Sequence, residues 1–459
     1  MRRSRGRRKK LPADPVELRV DRLGHDGRGI ANLDGKVAFV QGALPGELVS
    51  AVFTNRKRQF DELKTEEVLE ASEKRVVPPC QHFAICGGCS MQHMSPQTQI
   101  ELKENVLHEQ MKHMAGLEDY EHLPAMRSVT SAYRRKARLA ARFVSKKESV
   151  LVGFREKYSS FIADMDSCEV LATEVAELIK PLRELLIMLD AKQVIPQIEV
   201  ALGERESVAQ LSDGGALDLV LNFRHLEPLS DSDQAALLAF AKARNIQLYL
   251  QPKGNDSIHK VWPEEGPDRL YYYLPQYDLK MAFHPSDFTQ VNGQINRIMI
   301  DKALELLALE ESDKVLDLFC GLGNFTLPIA RHCASVVGVE GSDEMVQRGS
   351  ENASANGITN AQFFSADLTK DFDEKTWAKP VYNKIVIDPP RSGALEIIEK
   401  IVAFKAPKIV YISCNPATLA RDAGELAKHG YRMTKAGVMD MFPHTAHVES
   451  IAEFILEAS

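Results

Sequence analysis

The chain has 459 residues and a formal net charge of −7, with 44% hydrophobic and 26% charged residues. That is room for about two to four domains with sizeable cores. No stretch approaches the roughly 18 apolar residues of a membrane span, and seven cysteines are too few and too unevenly placed for a secreted disulfide framework. The basic start has no apolar segment behind it, which predicts a cytoplasmic protein without a membrane partner. The net charge hides an asymmetry: Arg2, Arg3, Arg5, Arg7, Arg8, Lys9 and Lys10 precede any acid. A cationic arm over residues 1–11 suits phosphate neutralisation by counterion release.

Residues 12–72 alternate apolar and polar positions in Glu17 to Val20, Lys36 to Val40, Leu48 to Phe53 and Leu63 to Leu69, with glycine-rich turns such as Gly24 to Gly29 between them. This predicts a small five-stranded, OB-like β-barrel. Arg56, Lys57, Arg58 and Phe60 are expected to lie exposed on one loop, as on a nucleic-acid platform. The segment Phe39 to Glu47, FVQGALPGE, resembles the TRAM domain signature of RNA-modifying enzymes.

Residues 73–280 mix helical and strand periods and predict an α+β middle domain. Its marks are an amphipathic stretch from Thr98 to Met114 and a basic run from Tyr133 to Phe143. Arg134, Arg135, Lys136, Arg138 and Arg142 in that run are candidates for a nucleic-acid backbone path, or simply an exposed face. Residues 281–459 alternate strand and helix regularly. Val315 to Phe319, Val336 to Glu340, Ala361 to Asp367, Lys384 to Asp388 and Ile409 to Ser413 are candidate parallel strands, which predicts an α/β, doubly wound domain.

Asp317 to Phe325, DLFCGLGNF, follows the first of these strands, and Glu340 ends the next one 17 residues after Gly323. At that spacing an acid accepts hydrogen bonds from ribose hydroxyls. Position 326 is Thr326 where a dinucleotide fingerprint has glycine, so the loop fits S-adenosylmethionine, which has no pyrophosphate. Asp367, at the end of the third strand, can reach the adenine amino group. Cys320 and Cys333 read as core thiols.

KIVIDPPR (Lys384 to Arg391) and ISCNP (Ile412 to Pro416) end the fourth and fifth strands, where open α/β sheets bind ligands. Cys414 is placed on a turn there, as a nucleophile must be. Carbon 5 of uracil attacks a sulfonium methyl only after a thiolate has added to carbon 6. A base must then remove the carbon 5 proton. Glu449, in PHTAHVES, is the candidate, with His444 and His447 as rivals. Asp388 is assigned to orienting the pyrimidine or the methyl donor, and Arg391 to pairing with a phosphate.

Cys80, Cys86 and Cys89 have the spacing CxxxxxCxxC, and Cys168 follows 79 residues later. Four thiolates suit a tetrahedral zinc or an iron–sulfur cluster, and the spacing does not choose between them.

SCNP, DPPR, DLFCGLGNF and the HxxHVE run together resemble the RNA uracil-5 methyltransferase family over most of the chain from Cys80 onward. The resemblance implies Cys414 as nucleophile and Glu449 as base. It places Gln290, Phe319, Asn324, Glu340, Asp367 and Asp388 at donor-binding positions. Phe288, in FTQVN, resembles the ring that stacks on the target base. The TRAM-like barrel and the cysteine cluster resemble the branch acting on 23S rRNA, which implies a 4Fe-4S cluster on Cys80, Cys86, Cys89 and Cys168, with zinc as the alternative. No protein partner is implied, and a monomer is expected. Methylation of tRNA uridine or of RNA cytosine, and a non-catalytic ribosome-assembly factor, are the alternatives.

Overall fold

The computed structural model describes residues 11–205 and 217–457; most of the basic arm, from Arg2 to Lys10, lies outside the described residues. The chain forms two compact units. One comprises the residues up to Phe83 with Cys89–Val106 and Phe442–His447; the other comprises Ala84–Gly88, Leu107–Met441 and the residues from Val448 on.

In the first unit, β1 (Val16–Arg19), β2 (Arg22–Leu23), β3 (Gly29–Leu33), β4 (Lys36–Gln41), β5 (Leu48–Arg56) and β6 (Phe60–Glu70) form one sheet in the order β1-β5-β6-β4-β3-β2. The five expected strand paths are present, but the first is broken at Val20 and Asp21. Its first half pairs with β5 and its second with β3, so the path bends from one end of the sheet to the other and closes it. Inward positions carry Leu18, Val20, Ala38, Val40, Val49, Ala51 and Leu63, all buried, the period-2 pattern of a filled small barrel. Buried Glu47 accepts hydrogen bonds from the backbone of Leu44 (2.8 Å) and Ser72 (3.1 Å) and both arms of Arg75. Arg56, Lys57 and Arg58 are exposed as expected. Phe60 is half-buried, edge-on to Phe39 at 5.3 Å with Lys57 over its ring.

The second unit contains two large sheets and a two-stranded one. β8 (Lys136–Val144), β9 (Ser149–Gly153), β10 (Gln197–Glu204), β11 (Leu217–Arg224), β12 (Gln247–Gln251) and β13 (His259–Trp262) make a mixed sheet ordered β13-β12-β11-β10-β8-β9. The helix Ile179–Met188 buries Leu182, Leu185 and Leu186 in the apolar core shared with this sheet. The hairpin β14 (Leu270–Leu274) and β15 (Leu279–Phe283) leads into the next sheet.

That sheet has eight strands: β7 (Glu121–His122), β16 (Lys314–Leu318), β17 (Ser335–Glu340), β18 (Ala361–Ser365), β19 (Lys384–Ile387), β20 (Lys408–Ser413), β21 (Tyr431–Met439) and β22 (Glu449–Leu456). The order is β18-β17-β16-β19-β20-β22-β21-β7. The five expected parallel strands occur within one or two residues of their expected bounds, because mainly apolar runs such as VLDL and IVYIS are buried at every position, as in parallel sheets. Strand order reverses between β16 and β19, the switch point at which such sheets bind ligands beyond their carboxyl ends.

Candidate active site

Beyond β16 the chain turns sharply. Phe319 adopts φ +64° and Gly323 φ +96°, and a Cβ on Gly323 would meet the Phe363 ring at 3.1 Å. The turn brings the Gly321 amide to the Glu340 carboxylate at 3.1 Å, which also accepts from Gly341 (2.7 Å) and Ser342 (3.2 Å). Three backbone donors thus orient the carboxylate before any ribose hydroxyl arrives. Asn324 is oriented by residues that sequence reasoning missed. Its Oδ1 accepts from the Tyr272 hydroxyl (2.8 Å) and Asn296 Nδ2 (3.0 Å), while its Nδ2 donates to Asn296 Oδ1 (2.9 Å). Gln290 shares with Tyr272 and Asn296 the wall of a cavity of about 30 Å³, room for a water molecule. Asp367 is exposed, accepts from Thr369 and pairs with Lys370 at 3.2 Å. Thr369 first, then Lys370, hold its carboxyl below the usual range.

Asp317 lies beneath this loop and is fully buried. Its Oδ2 accepts from the Thr326 hydroxyl at 2.5 Å, and its Oδ1 has no protein partner. Burial, with Asp388 and Glu340 adding to it, pushes its carboxyl up to about 8. Burial likewise pushes Asp388 up to about 7, although its side chain keeps some contact with solvent. Two carboxyls beneath this loop are therefore biased toward their neutral forms by burial.

Cys414 follows the last residue of β20 on a half-exposed turn, as expected of a presented nucleophile. Asn415 caps the helix Pro416–Lys428 by accepting from the Ala417 amide (3.2 Å), and its Nδ2 donates to the Arg391 carbonyl (3.2 Å). The DPPR segment is thereby tied to the cysteine turn. β20 and β22 run antiparallel with Ser413 opposite Ser450, so the next position on each strand is Cys414 on one and Glu449 on the other. Burial first, then the charges of Glu449 and Asp388, push the thiol up to about 11, while Arg391 pulls it down. Cys414, Glu449, Asp388 and Arg391 thus converge within electrostatic reach. The rival His444 is buried, its Nδ1 within 3.2 Å of Gln99 Nε2 and its amide donating to Gln99 Oε1 at 2.8 Å; His447 is exposed.

The loop from His284 to Gln290 carries Phe288, which is 72% exposed. Asp287 fixes its base: the carboxylate accepts from the His284 amide (2.7 Å) and Arg348 (3.1 Å), and its carbonyl accepts from Lys136.

The basic run divides. Arg135 pairs with buried Glu204, as does Arg297 at 2.5 Å, and Lys136 is occupied by Asp287. Neither Arg135 nor Lys136 is an exposed contact, which corrects that part of the expected backbone path. Arg138 and Arg142 are exposed.

None of the seven cysteines forms a disulfide: Cys86, Cys89 and Cys320 are buried, and Cys80, Cys168, Cys333 and Cys414 are half-buried. An all-sulfur donor set fits zinc or an iron–sulfur cluster and not a hard cation. Among the described residues, no three His, Cys, Asp or Glu side chains stand as a preassembled metal-holding group.

Residues 97–456 match the model of the tRNA (uracil-5-)-methyltransferase family, and residues 14–60 match the TRAM domain. This chain belongs to the uracil-5-methyltransferase family. Its curated relatives include the 23S rRNA (uracil(1939)-C(5))-methyltransferase RlmD of Alcanivorax borkumensis, 51% identical over 448 residues and covering 98% of each chain. That of Hahella chejuensis is 50% identical over 452 residues, covering 98% of this chain and 99% of its own. The Pyrococcus abyssi tRNA (uracil-54, C5)-methyltransferase in complex with S-adenosyl-L-homocysteine shares the fold, with TM-score 0.71 at 23% identity over 96% of this chain and 100% of that one. In this uracil-5-methyltransferase the glycine turn, Glu340, Asp388 and Cys414 follow or end β16, β17, β19 and β20, at the carboxyl ends flanking the switch point where α/β sheets bind ligands.

Proposed function

We propose that this protein transfers the methyl group of S-adenosylmethionine to carbon 5 of a uridine in 23S rRNA through a covalent adduct of Cys414. The observation that carries the reading is the convergence of Cys414, Glu449 and Asp388 at the ends of β19, β20 and β22. Full-length relatives bearing that name support the choice of RNA.

Cys414 sulfur gives up its proton to solvent and, as thiolate, bonds to carbon 6, which moves the ring's double-bond electrons toward carbon 5 and onto the carbon 4 carbonyl oxygen. Loss of that proton is the costly step for a thiol held at about 11, and Arg391 is the neighbour that lowers its cost. S-adenosylmethionine supplies an electrophilic methyl on a sulfonium. Carbon 5 takes it, and the carbon–sulfur bond to the donor breaks. Glu449 then removes the carbon 5 proton, the carbon 6–sulfur bond breaks, and the 5,6 double bond re-forms with Cys414 released. Glu340, Asn324, Gln290, Phe319, Asp367 and Asp388 hold the donor, Phe288 stacks on a uridine splayed out of its loop, and Arg391 also takes an adjacent phosphate.

Cys80, Cys86, Cys89 and Cys168 would hold a 4Fe-4S cluster; the CxxxxxCxxC spacing and the all-sulfur donor set support it. We read residues 12–72 as the barrel, 73–280 as the middle domain and 281–459 as the methyltransferase domain of a cytoplasmic monomer.

The test is incubation with radiolabelled S-adenosylmethionine and unmodified 23S or tRNA transcripts, followed by nucleoside analysis. Label in 5-methyluridine from 23S RNA is the expected result. Label in 5-methylcytidine, in tRNA alone, or nowhere overturns the reading in favour of cytosine methylation, a tRNA substrate, or an assembly factor.

A further inference from the structure

Next to Cys86 the second unit displays a small aromatic surface. Tyr158 is 80% exposed, Phe161 64% and Ile85 53%. Tyr158 and Phe161 sit on one tight turn of Arg155 to Ile162, closed by an antiparallel bridge between Arg155 and Ile162 and by the Glu156 amide donating to the Phe161 carbonyl at 2.9 Å. Tyr158 holds φ +56°, a conformation that a bulky side chain adopts only where its surroundings impose it.

The cysteine segment holds this turn. Cys86 and Glu156 form an antiparallel bridge, the Gly87 amide donates to the Arg155 carbonyl (2.8 Å), and the Lys157 amide donates to the Ile85 carbonyl (2.9 Å). Gly87 is needed for the approach, since a Cβ there would lie 3.0 Å from the Arg155 carbonyl oxygen. The result is two rings facing water on a backbone fixed at both ends.

Exposed apolar side chains clustered in one patch point to an interaction surface where scattered ones do not, and the charges around these indicate its partner. Arg155 is exposed and Lys157 half-exposed beside the rings, with the half-buried Glu156 between them, so cations outnumber acids two to one in the turn. The nearest downstream acids are engaged: Asp164 with Lys147 (2.8 Å) and Arg183 (2.9 Å), and Asp166 with Arg183 (3.1 Å). Rigid exposed rings flanked by cations match a polyanion that also offers flat apolar faces, which is single-stranded RNA.

We infer that the Tyr158–Phe161 turn is a stacking platform for unpaired bases of the RNA substrate, held in place by the Ala84–Gly88 segment. The inference rests on the RNA reading above. The platform contributes affinity without sequence readout, because every base has a face to stack.

The test uses the full-length protein purified under argon, with a 23S rRNA fragment transcript as probe. Tyr158→Ala and Phe161→Ala each raise the Kd for RNA and its KM about tenfold, with kcat and the KM for S-adenosylmethionine unchanged. The slope of log Kd against log salt is also unchanged, since no phosphate contact is lost. Tyr158→Phe and Phe161→Tyr keep a ring and bind within about twofold of wild type. An unchanged Kd in the alanine variants, or equal losses in alanine and ring-preserving variants, overturns the platform. Wild-type protein that neither binds nor methylates RNA overturns the function itself, so the two failures are distinguishable.

Discussion

Cys414 and Glu449 are the residues immediately beyond the last antiparallel pair of β20 and β22, Ser413 opposite Ser450, and the Glu449 charge is felt by the thiol. The proposed nucleophile and the proposed base are therefore placed opposite one another by strand register. A slip of one residue in β22 would turn Glu449 to the other face of the sheet.

That coupling predicts how Cys414 reacts. A thiol held near 11 is almost wholly protonated at pH 7, so its alkylation by iodoacetamide should rise about tenfold per pH unit without a plateau below pH 10. Removing the Glu449 charge with Glu449→Gln moves the profile to lower pH; Arg391→Ala moves it higher. Peptide mapping of alkylated Cys414 across pH checks the order of the three profiles, and identical profiles refute the coupling.

The donor site predicts an effect from outside the sequence motifs. Tyr272→Phe removes the hydroxyl that orients Asn324. It should weaken S-adenosylmethionine binding about fivefold, the worth of one hydrogen bond near 1 kcal/mol, and leave kcat unchanged. Calorimetric titration beside steady-state kinetics separates this from general damage, which would lower both.

Much of this arrangement is legible in the sequence, and the remainder has a physical reason for being hidden. The five parallel strands, the glycine turn and the cysteine turn are local: each is a buried apolar run followed by residues suited to a sharp turn. Tyr272 and Asn296 were missed because they come from a hairpin and a helix outside any motif and meet Asn324 only through tertiary packing. The basic run misleads for the same reason. Arg135, just before β8, is occupied by Glu204, 69 residues downstream, whereas Arg138 on β8 is exposed while pairing with Glu199 at 2.7 Å. Phe60, expected on the surface, packs edge-on to Phe39 on another strand, with Lys57 of its own turn over the ring.

Asp388 predicts a pH dependence of donor binding. With its carboxyl pushed up to about 7 by burial, it is neutral below that pH and attracts a sulfonium only above it. Affinity for S-adenosylmethionine should rise between pH 6 and pH 8. Asp388→Asn should reduce affinity about tenfold at pH 8, equivalent to about 1.4 kcal/mol, and flatten the rise. A variant with the wild-type slope would assign the titration elsewhere.

In the barrel, Arg75 and Glu47 make a buried bidentate pair. Burial raises the Glu47 carboxyl, but the Arg75 hydrogen bond and the backbone amides outweigh it, so the net shift is downward. A carboxyl depressed on folding stabilises above its unfolded value, near 4.3, and that contribution is lost as pH falls through the lower folded value. Arg75→Met should cost about 3 kcal/mol at pH 7 by leaving the carboxylate unpaired. Chemical denaturation of the barrel at pH 7 and at pH 3 should show the penalty shrinking at acid pH; a penalty independent of pH would remove the ion pair from the explanation.

The most direct measurement of the proposed mechanism combines Glu449→Gln protein, S-adenosylmethionine labelled in the methyl group and a 23S rRNA fragment, with the products resolved under denaturing conditions. Without the base, the methylated ring cannot lose its carbon 5 proton. The account predicts a labelled, denaturation-stable protein–RNA adduct through Cys414, and turnover reduced by about 10² to 10⁴. Free methylated RNA released at the wild-type rate, or an adduct that persists when Cys414 is also replaced by alanine, would contradict it.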